Sequence, residues 1–369
     1  MIYTASQPDQ LPTISQVLDM VKNLVGKMPV RHRMPYDEEV GGDDVFLLNR
    51  TASGLFTLKP NITSKPCLFG GISSFQTVLQ PAWNKLERKD YIVENVLREE
   101  FELTMESHPL YRLFLQGIPT RRQFVRIVNP YGNAMAYGFP SPMLPLSSSL
   151  DIATFFATHK QDPTTGLWSA VPEQDEQGRI NVGVLYVLAL AMPFPMMLGL
   201  SCIGMQAFKR PGNQKMFAIN LGKGENFNDH RLVVGFKFRQ NPEEVQQLAA
   251  SFNQGNMLTP DELIAKKAKD ILSTRCVSEK AFQRNCKNNP HEDPNLNRMR
   301  LIDAGVQIVR EDLHLFTIQE LNESYYATAE AEWDEMFSHV IAVHPGFANL
   351  LDDLQNFPNT EKGRKFFRK

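Results

Sequence analysis

The sequence predicts an α+β fold, in which helices flank a strand-rich region and a helix-rich portion follows. Three observations predict it. Apolar residues recur at helical spacing near positions 14–25 and 89–106, short strand-like runs occupy the centre of the chain, and helical patterns return after Asn241-Pro242. Hydrophobic residues make up 42% and charged residues 22% of the 369 residues, which is typical of a soluble folded protein and argues against disorder.

Two long amphipathic helices are predicted in the first part of the chain. The first runs from Ile14 to Val25, with Thr13 as N-cap and Gly26 as its stop. The second runs from about Lys89 to Glu106. Its apolar face consists of Ile92, Val93, Val96, Leu97, Phe101 and Met105.

Strands are predicted at 53–59, 65–69, 182–190, 215–220 and 231–238, because β-branched and aromatic residues are concentrated there between turn residues. Three stretches are predicted as loops. They are the acidic, glycine-bearing 34–50, the proline- and glycine-dense 129–145, and the polar 162–178. Ser147 to Ser149 offer hydroxyls to cap a helix from Leu150 to Ala157.

The C-terminal portion is predicted to be mainly helical. Helices are expected at 243–251, 260–273 and 320–339, so we divide the chain into residues 1–240 and a helix-rich extension at 241–369. The extension is either a subdomain or an elaboration of the first part. The tail from Glu361 to Lys369 has five basic residues around two phenylalanines, and we expect a frayed, solvated terminus.

Composition and motifs exclude several classes of function. The net charge of −2 gives no overall footprint for nucleic acid, so nucleic acid is not an expected partner. The charge-free stretch from Ile180 to Phe208 is interrupted by prolines and glycines, and we expect a buried strand rather than a membrane span. The N-terminus shows no signal-peptide pattern, and the widely spaced cysteines suggest neither a zinc ribbon nor disulfides, so a cytoplasmic protein is expected.

None of the strong local signatures of catalysis is present in the sequence. It contains no G-x-S-x-G elbow, no phosphate-binding loop of the Walker A type, no G-x-G-x-x-G, no H-E-x-x-H and no EF-hand loop. No metal site is predicted, since His291-Glu292-Asp293 lies between prolines in an expected surface turn.

Three separated segments nevertheless share a pattern of glycine, proline, aromatic and hydroxyl residues. They are Leu68-Phe69-Gly70-Gly71 followed by Leu79 and Pro81, the gapless run from Ala136 to Ser147 that leads into the predicted helix, and Gln214 with Phe217. In order and spacing these segments resemble the three blocks of the FRG family. The resemblance covers about residues 64–220 and departs from the family at Gly70, Ala136 and Pro145, where arginine, histidine and aspartate are typical.

The FRG blocks are in turn distantly similar to ADP-ribosyltransferases. This resemblance implies a small, mostly antiparallel split sheet flanked by helices, an ADP-ribosyltransferase-like core, and NAD or another nucleotide as ligand. Carried over, Ser147 and Gln214 are the candidate catalytic residues. The candidate ligand-binding residues are Phe69, Gly70, Gly71, Tyr137 and Gly138.

The missing arginine matters because that side chain holds a phosphate bidentately in the related enzymes. Gly70 has no side chain for this task. Loss of the arginine removes a charge-assisted contact to the phosphate that contributes about 1.5–3 kcal/mol. The candidate replacements by sequence proximity are Lys65, Arg121, Arg122, Arg126 and Arg210.

Two functions follow from the resemblance. The first is a nucleotide-binding, enzyme-like module related to ADP-ribosyl transfer in toxin or defence systems. The second is a degenerate, non-catalytic relative that binds a protein or a nucleotide. The replacements at Gly70, Ala136 and Pro145 favour this second function, because the polar side chains expected for catalysis are missing. Structural interpretations of the same residues stay open: Ser147 as part of a helix cap, Gly70-Gly71 as a close approach of backbones, and Tyr137 as a core aromatic.

Overall fold

The computed structural model describes residues 2–3, 10–28, 46–50, 56–60, 67–120, 124–125, 128–190, 199–204, 206–338, 340–342 and 345–367. The strands are β1 (Ile2–Tyr3), β2 (Phe46–Arg50), β3 (Phe56–Pro60), β4 (Cys67–Ile72), β5 (Ile118–Pro119), β6 (Phe124–Val125), β7 (Met143–Ser147), β8 (His159–Gln161), β9 (Trp168–Ala170), β10 (Val182–Ala189), β11 (Leu200–Cys202), β12 (Met216–Asn220), β13 (Val233–Arg239), β14 (Cys276–Ser278), β15 (Gln307–Val309) and β16 (Val340–Ile341).

The α-helices are α1 (Ile14–Gly26), α2 (Arg88–Ser107), α3 (Pro109–Gln116), α4 (Pro130–Ala136), α5 (Leu150–Thr158), α6 (Lys209–Asn213), α7 (Gln246–Ser251), α8 (Leu263–Thr274), α9 (Glu279–Asn288), α10 (Pro294–Asp303), α11 (Ile318–Leu321), α12 (Ala329–Ser338), α13 (Pro345–Gln355) and α14 (Glu361–Phe367). Short 3₁₀ segments occur at Ala82–Lys85, Phe227–Asp229, Glu243–Val245 and Phe357–Asn359, and a π-helical turn at Asn322–Tyr326.

The central sheet has the strand order β1-β13-β10-β4-β7-β12-β11. All neighbours are antiparallel except β1, which lies parallel to β13. The α+β class with a mostly antiparallel sheet is therefore confirmed. Strands β4 and β7 pair at a single position, Phe69 opposite Ser147, so the sheet opens between them.

Helices cover the two faces of this sheet unequally. Helices α1 and α5 pack on one face, where Ile14, Val17, Phe69, Ala153, Leu185 and Phe238 belong to one buried cluster. The capping box between Thr13 and Gln16 confirms the predicted start of α1. On the other face a second cluster contains Leu68, Leu146, Tyr186, Phe217 and Phe227.

The second long helix, α2, is confirmed and lies almost wholly buried. Its predicted apolar residues form a cluster with side chains of α8, α9 and α10. A second sheet, in the order β16-β2-β3-β6-β5, pairs residues 46–60 with the C-terminal strand β16. Trp333 is fully buried where this sheet meets α3 and the last helices. Both sets of contacts join segments from the two sides of the predicted division at 240/241.

The strand predictions are confirmed at 182–190, 215–220 and 231–238 by β10, β12 and β13. The predicted strand at 65–69 appears as β4, which extends to Ile72 and thus includes the glycines. The strand predicted at 53–59 appears as β3 (Phe56–Pro60), whereas residues 53–55 and 65–66 lie outside the described residues.

The loop prediction for 129–145 is wrong in part. Pro130 occupies the first turn of α4, where a missing N–H costs no hydrogen bond, and the Asn129 side chain caps the helix at Gly132 N. Pro145 lies within β7, which already begins at Met143. High proline content therefore did not predict a loop correctly here, because Pro130 and Pro145 lie at positions where a helix or a strand tolerates proline.

Two further loop predictions need correction. Phe46–Arg50 forms β2, because the apolar residues at its start pair with β3; the rest of the predicted loop, 34–45, lies outside the described residues. Within 162–178, Trp168–Ala170 forms β9, which completes a hairpin with β8. The Asp162 side chain closes the turn of that hairpin by accepting hydrogen bonds from Thr164 N and Thr165 N.

The C-terminal predictions were also too simple. The helix expected at 320–339 is divided into α11, the π-helical turn and α12, while α8 and the region 243–251 are helical as predicted. The tail is not frayed between 361 and 367: α14 packs Phe367 into the cluster around Trp333. Two phenylalanines among basic residues give that short helix an apolar side, and burial of this side outweighs fraying.

No helix in the described ranges is long and apolar enough to cross a bilayer. The charge-free stretch from Ile180 to Phe208 contains β10 instead, although residues 191–198 and 205 are not among those described.

Candidate functional site

A cavity of about 760 Å³ lies where the central sheet opens between β4 and β7. Both strands line it, together with the end of α4, residues of α5 and the β8–β9 hairpin. The volume is in the range of about 300–1,000 Å³ that is usual for small-molecule sites. The opening of the sheet therefore provides a ligand-sized space with walls from several elements.

All seven residues selected from the sequence line this one cavity: Phe69, Gly70, Gly71, Tyr137, Gly138, Ser147 and Gln214. The other lining residues are Ile72, Ser73, Ser74, Gln76, Met135, Ala136, Pro145, Leu146, Ala153, Phe156, His159, Lys160, Gln161, Trp168, Arg210, Met216 and Thr259. Residues more than 140 positions apart in sequence are thus brought together by the sheet.

The two glycines of β4 have different surroundings. A Cβ atom at Gly71 would lie 1.9 Å from the backbone oxygen of Ala153, so only glycine allows α5 to pack this closely on β4. A Cβ atom at Gly70 would lie 3.1 Å from Cδ2 of Leu146. This contact is tighter than an ordinary Cβ contact, so a side chain at position 70 requires a small shift of Leu146.

Ser147 is 5% exposed, and its hydroxyl both donates and accepts a hydrogen bond. It donates a hydrogen bond to the backbone oxygen of Gln214 at 2.9 Å and accepts one from Ser149 N at 3.0 Å. The N-cap of α5 is Ser149, whose side chain accepts from Ile152 N. Ser147 thereby connects β7 to the start of α5 and to Gln214. Because its hydroxyl proton goes to a carbonyl rather than to a base, Ser147 is not activated as a nucleophile.

Gln214 follows α6 and is half-buried. Its side-chain nitrogen donates to the backbone oxygen of Leu258 at 2.9 Å, which anchors the amide at the cavity wall. The amide oxygen has no hydrogen-bond partner in the described parts of the chain, so it is open to a ligand donor.

Tyr137 lies at the end of α4, with its ring buried and its hydroxyl donating to Glu262 Oε1 at 2.6 Å. Burial, followed by the Glu262 charge, holds the pKa of this hydroxyl well above its usual value. The next residue, Gly138, has φ +96°, which favours glycine at the turn that leaves α4. Tyr137 is therefore a neutral anchor of the wall between α4 and α8.

Arg210 is the one proposed arginine replacement that falls within the described residues, and it lines the cavity. Its guanidinium lies 4.7 Å above the Tyr137 ring, and Nη1 donates to the backbone oxygen of Ala136 at 3.1 Å. Nε is buried with no hydrogen-bond partner among the described residues. The other candidates, Lys65, Arg121, Arg122 and Arg126, lie outside the described residues.

The charge of the cavity wall is positive. Arg210 and Lys160 line it, while no aspartate or glutamate does so among the described lining residues. Across the same described ranges, no group of three or more histidine, cysteine, aspartate or glutamate side chains is arranged to hold a metal ion. The wall is thus suited to an anion rather than to a cation.

Sequence reasoning missed His159, which follows α5 and begins β8. This residue is 4% exposed and lines the cavity, and its ring stacks on Phe155 with a centroid distance of 4.3 Å and an interplanar angle of 7°. A single histidine after a helix carries no local motif, so nothing in the sequence marked it. Trp168 was missed because it was assigned to the predicted loop at 162–178. Its indole nitrogen donates to Thr259 Oγ1 at 3.0 Å.

Comparison of the chain with protein families, with curated proteins and with solved structures found no match. The resemblance to the FRG family remains a prediction, and the function has to be inferred from the cavity itself.

Proposed function

We propose that the chain is an FRG-like nucleotide-binding module whose cavity takes an anionic ligand with a ribose phosphate, such as NAD or ADP-ribose. One observation carries the proposal. The residues that the FRG resemblance selects from three distant segments line one cavity, at the opening between β4 and β7. An ADP-ribosyltransferase-like core with a split sheet leads to the same expectation.

The charges of the wall support a phosphate-bearing ligand. Arg210 and Lys160 supply two cations to the lining, and no carboxylate is among the described lining residues, although Glu262 behind the wall accepts a hydrogen bond from Arg210 N at 3.1 Å. Arginine can hold a phosphate with two parallel hydrogen bonds, and a charge-assisted bond contributes about 1.5–3 kcal/mol. In this proposal Arg210 takes the part of the arginine that is missing at Gly70.

Binding without efficient cleavage of NAD is the form of this function that the wall favours. Breaking the bond between nicotinamide and ribose develops positive charge on the sugar, which a nearby carboxylate stabilises. Gln214 offers a neutral amide in its place, and the cations of the wall oppose such charge. The non-catalytic alternative therefore rests on the lack of a carboxylate among the described lining residues.

Binding is tested by calorimetry with ADP-ribose, NAD and nicotinamide, the last of which lacks phosphate. ADP-ribose is expected to bind and nicotinamide is not. Arg210→Met should weaken ADP-ribose binding by about 10- to 100-fold, because it removes the guanidinium and keeps most of the stem. Arg210→Lys keeps the positive charge but lacks the planar guanidinium. Its affinity for ADP-ribose should lie between those of wild type and Arg210→Met.

The matched control is Arg179→Met. Arg179 is 75% exposed, pairs with Asp175 at 2.7 Å and does not line the cavity. Its loss should leave ADP-ribose affinity unchanged. Equal affinities of wild type and Arg210→Met, or no binding of either nucleotide by wild type, would contradict the proposal.

Cleavage is tested by following nicotinamide release from labelled NAD. Release is expected to stay at the background rate with the wild-type protein. Turnover that disappears in Gln214→Ala would instead favour the enzymatic function and overturn the non-catalytic form.

A further inference from the structure

We propose that His159 is a hydrogen-bond acceptor of the cavity, with Nε2 receiving a hydrogen bond from a hydroxyl of the bound ligand. This inference rests on the proposed nucleotide binding and deepens it by naming the group that recognises the sugar. Four observations carry it: the partners of Nδ1, the surroundings of the ring, the free Nε2 and the neighbouring cation.

The tautomer of His159 follows from the partners of Nδ1. This nitrogen lies 3.2 Å from the backbone oxygen of Phe155 and 3.0 Å from Thr158 Oγ1. A carbonyl oxygen only accepts, so Nδ1 must donate to it. The Thr158 hydroxyl donates to the Thr154 backbone oxygen at 2.8 Å and needs no acceptor at the ring. With the proton on Nδ1, Nε2 of the neutral ring is an acceptor.

The surroundings keep the ring neutral and in place. Burial holds the pKa of His159 below its usual value, although the bond to the Phe155 carbonyl opposes this. The charged residues that line the cavity with it are Lys160 and Arg210, and neither stabilises an imidazolium ion. Stacking on Phe155 fixes the ring plane, so the direction of Nε2 is set before a ligand arrives.

The second ring nitrogen is left for a ligand. Nε2 of His159 has no hydrogen-bond partner in the described residues, and His159 is one of the residues that line the cavity. His314 differs, because Glu100 and Asp270 engage both of its nitrogens at 2.9 and 3.3 Å. His108 differs too, since its ring is buried among Phe208, Phe316 and Tyr325 away from the cavity lining.

The neighbouring cation indicates which ligand group meets His159. Lys160 follows directly in the chain and also lines the cavity, so the same strand contributes an acceptor and a cation to the wall. A sugar hydroxyl next to a phosphate fits both. A nucleotide ribose carries these two groups a few bonds apart, which an isolated phosphate or a nucleobase does not.

The presentation of Nε2 is tested by carbethoxylation with diethyl pyrocarbonate, followed by mass spectrometry of peptides. The reagent reacts with an accessible, unprotonated imidazole nitrogen, which displaces ethyl carbonate. His159 is expected to react despite its burial, whereas His314 should not, and ADP-ribose should slow the reaction at His159. A His159 as inert as His314, or one that saturating ADP-ribose fails to protect, would overturn the inference.

Two substitutions test the acceptor in binding. His159→Phe keeps a flat ring on Phe155 but has no acceptor, and it should weaken ADP-ribose binding by about tenfold. His159→Gln places an amide oxygen near the position of Nε2 and should stay within about threefold of wild type. Melting curves of both variants check that they fold.

The outcomes separate this inference from the function on which it rests. If wild type binds ADP-ribose and His159→Phe binds it equally well, this inference fails alone. If wild type binds no nucleotide, the proposed function fails and this inference falls with it.

Discussion

Replacement of Glu102 by glutamine is expected to stabilise the protein in a pH-dependent manner. Glu102 lies on α2, is 9% exposed, and contacts Arg98 and Arg284 at 3.4 and 3.3 Å. Burial raises the pKa of its carboxyl from 4.5 to about 7, and the two arginines offset only part of this effect. Glutamine has nearly the shape of the protonated acid and carries no charge to bury.

The sign follows from comparing the folded and unfolded states. Below pH 4.5 the carboxyl is protonated in both, so it does not affect stability. Between 4.5 and about 7 the unfolded chain ionises while the folded chain holds its proton, so stability falls as pH rises. Above 7 the full effect is present. At 1.36 kcal/mol per pKa unit it amounts to about 3 kcal/mol.

Urea unfolding of wild type and Glu102→Gln at two pH values measures this pH-dependent difference in unfolding free energy. The variant should be more stable by about 1 kcal/mol at pH 5 and by about 3 kcal/mol at pH 8. Glu106→Gln is the control, because Glu106 pairs with the same Arg284 at 2.7 Å but is 28% exposed, and it should not stabilise at either pH. An advantage of Glu102→Gln that is equal at both pH values, or a loss at pH 8, would refute the reasoning.

Three further substitutions test the structure around the cavity and the tail. Gly71→Ala should cost about 3 kcal/mol of unfolding free energy, measured in urea, because its Cβ would meet the Ala153 backbone oxygen at 1.9 Å. Ser147→Ala should cost about 1–2 kcal/mol in the same assay, since it leaves the Gln214 carbonyl without its donor; an unchanged midpoint would speak against the bond. Phe367→Ala should cost about 3–5 kcal/mol and lower the melting temperature, whereas a frayed tail predicts no change.

Part of the fold was predictable because its signals are local. The N-cap at Thr13 and the apolar stripe that follows it predict α1 to within a residue of its end. The strands β10, β12 and β13 were predicted from apolar runs between turn residues. Such signals depend on neighbours within about five positions, so the chain carries them in any tertiary context.

Other elements were decided by distant contacts. Strand β2 depends on its pairing with β3, and α14 depends on the cluster around Trp333. The buried charges of α2 are a similar case, because Glu102 and its neighbours lie on a face that a helical pattern assigns to solvent. Their burial follows from packing against α9, which no local spacing reveals.

The sequence by itself determined the class of fold and, through the family resemblance, selected residues that line the cavity, because glycines and prolines act on backbone geometry at their own positions. Only the tertiary structure decided which functional groups meet there. It places Leu146 beside Gly70, and it brings Arg210 and His159 into the wall. The physical reason is that charge and hydrogen-bonding capacity act through space, so their partners are set by strand pairing and helix packing and not by order along the chain.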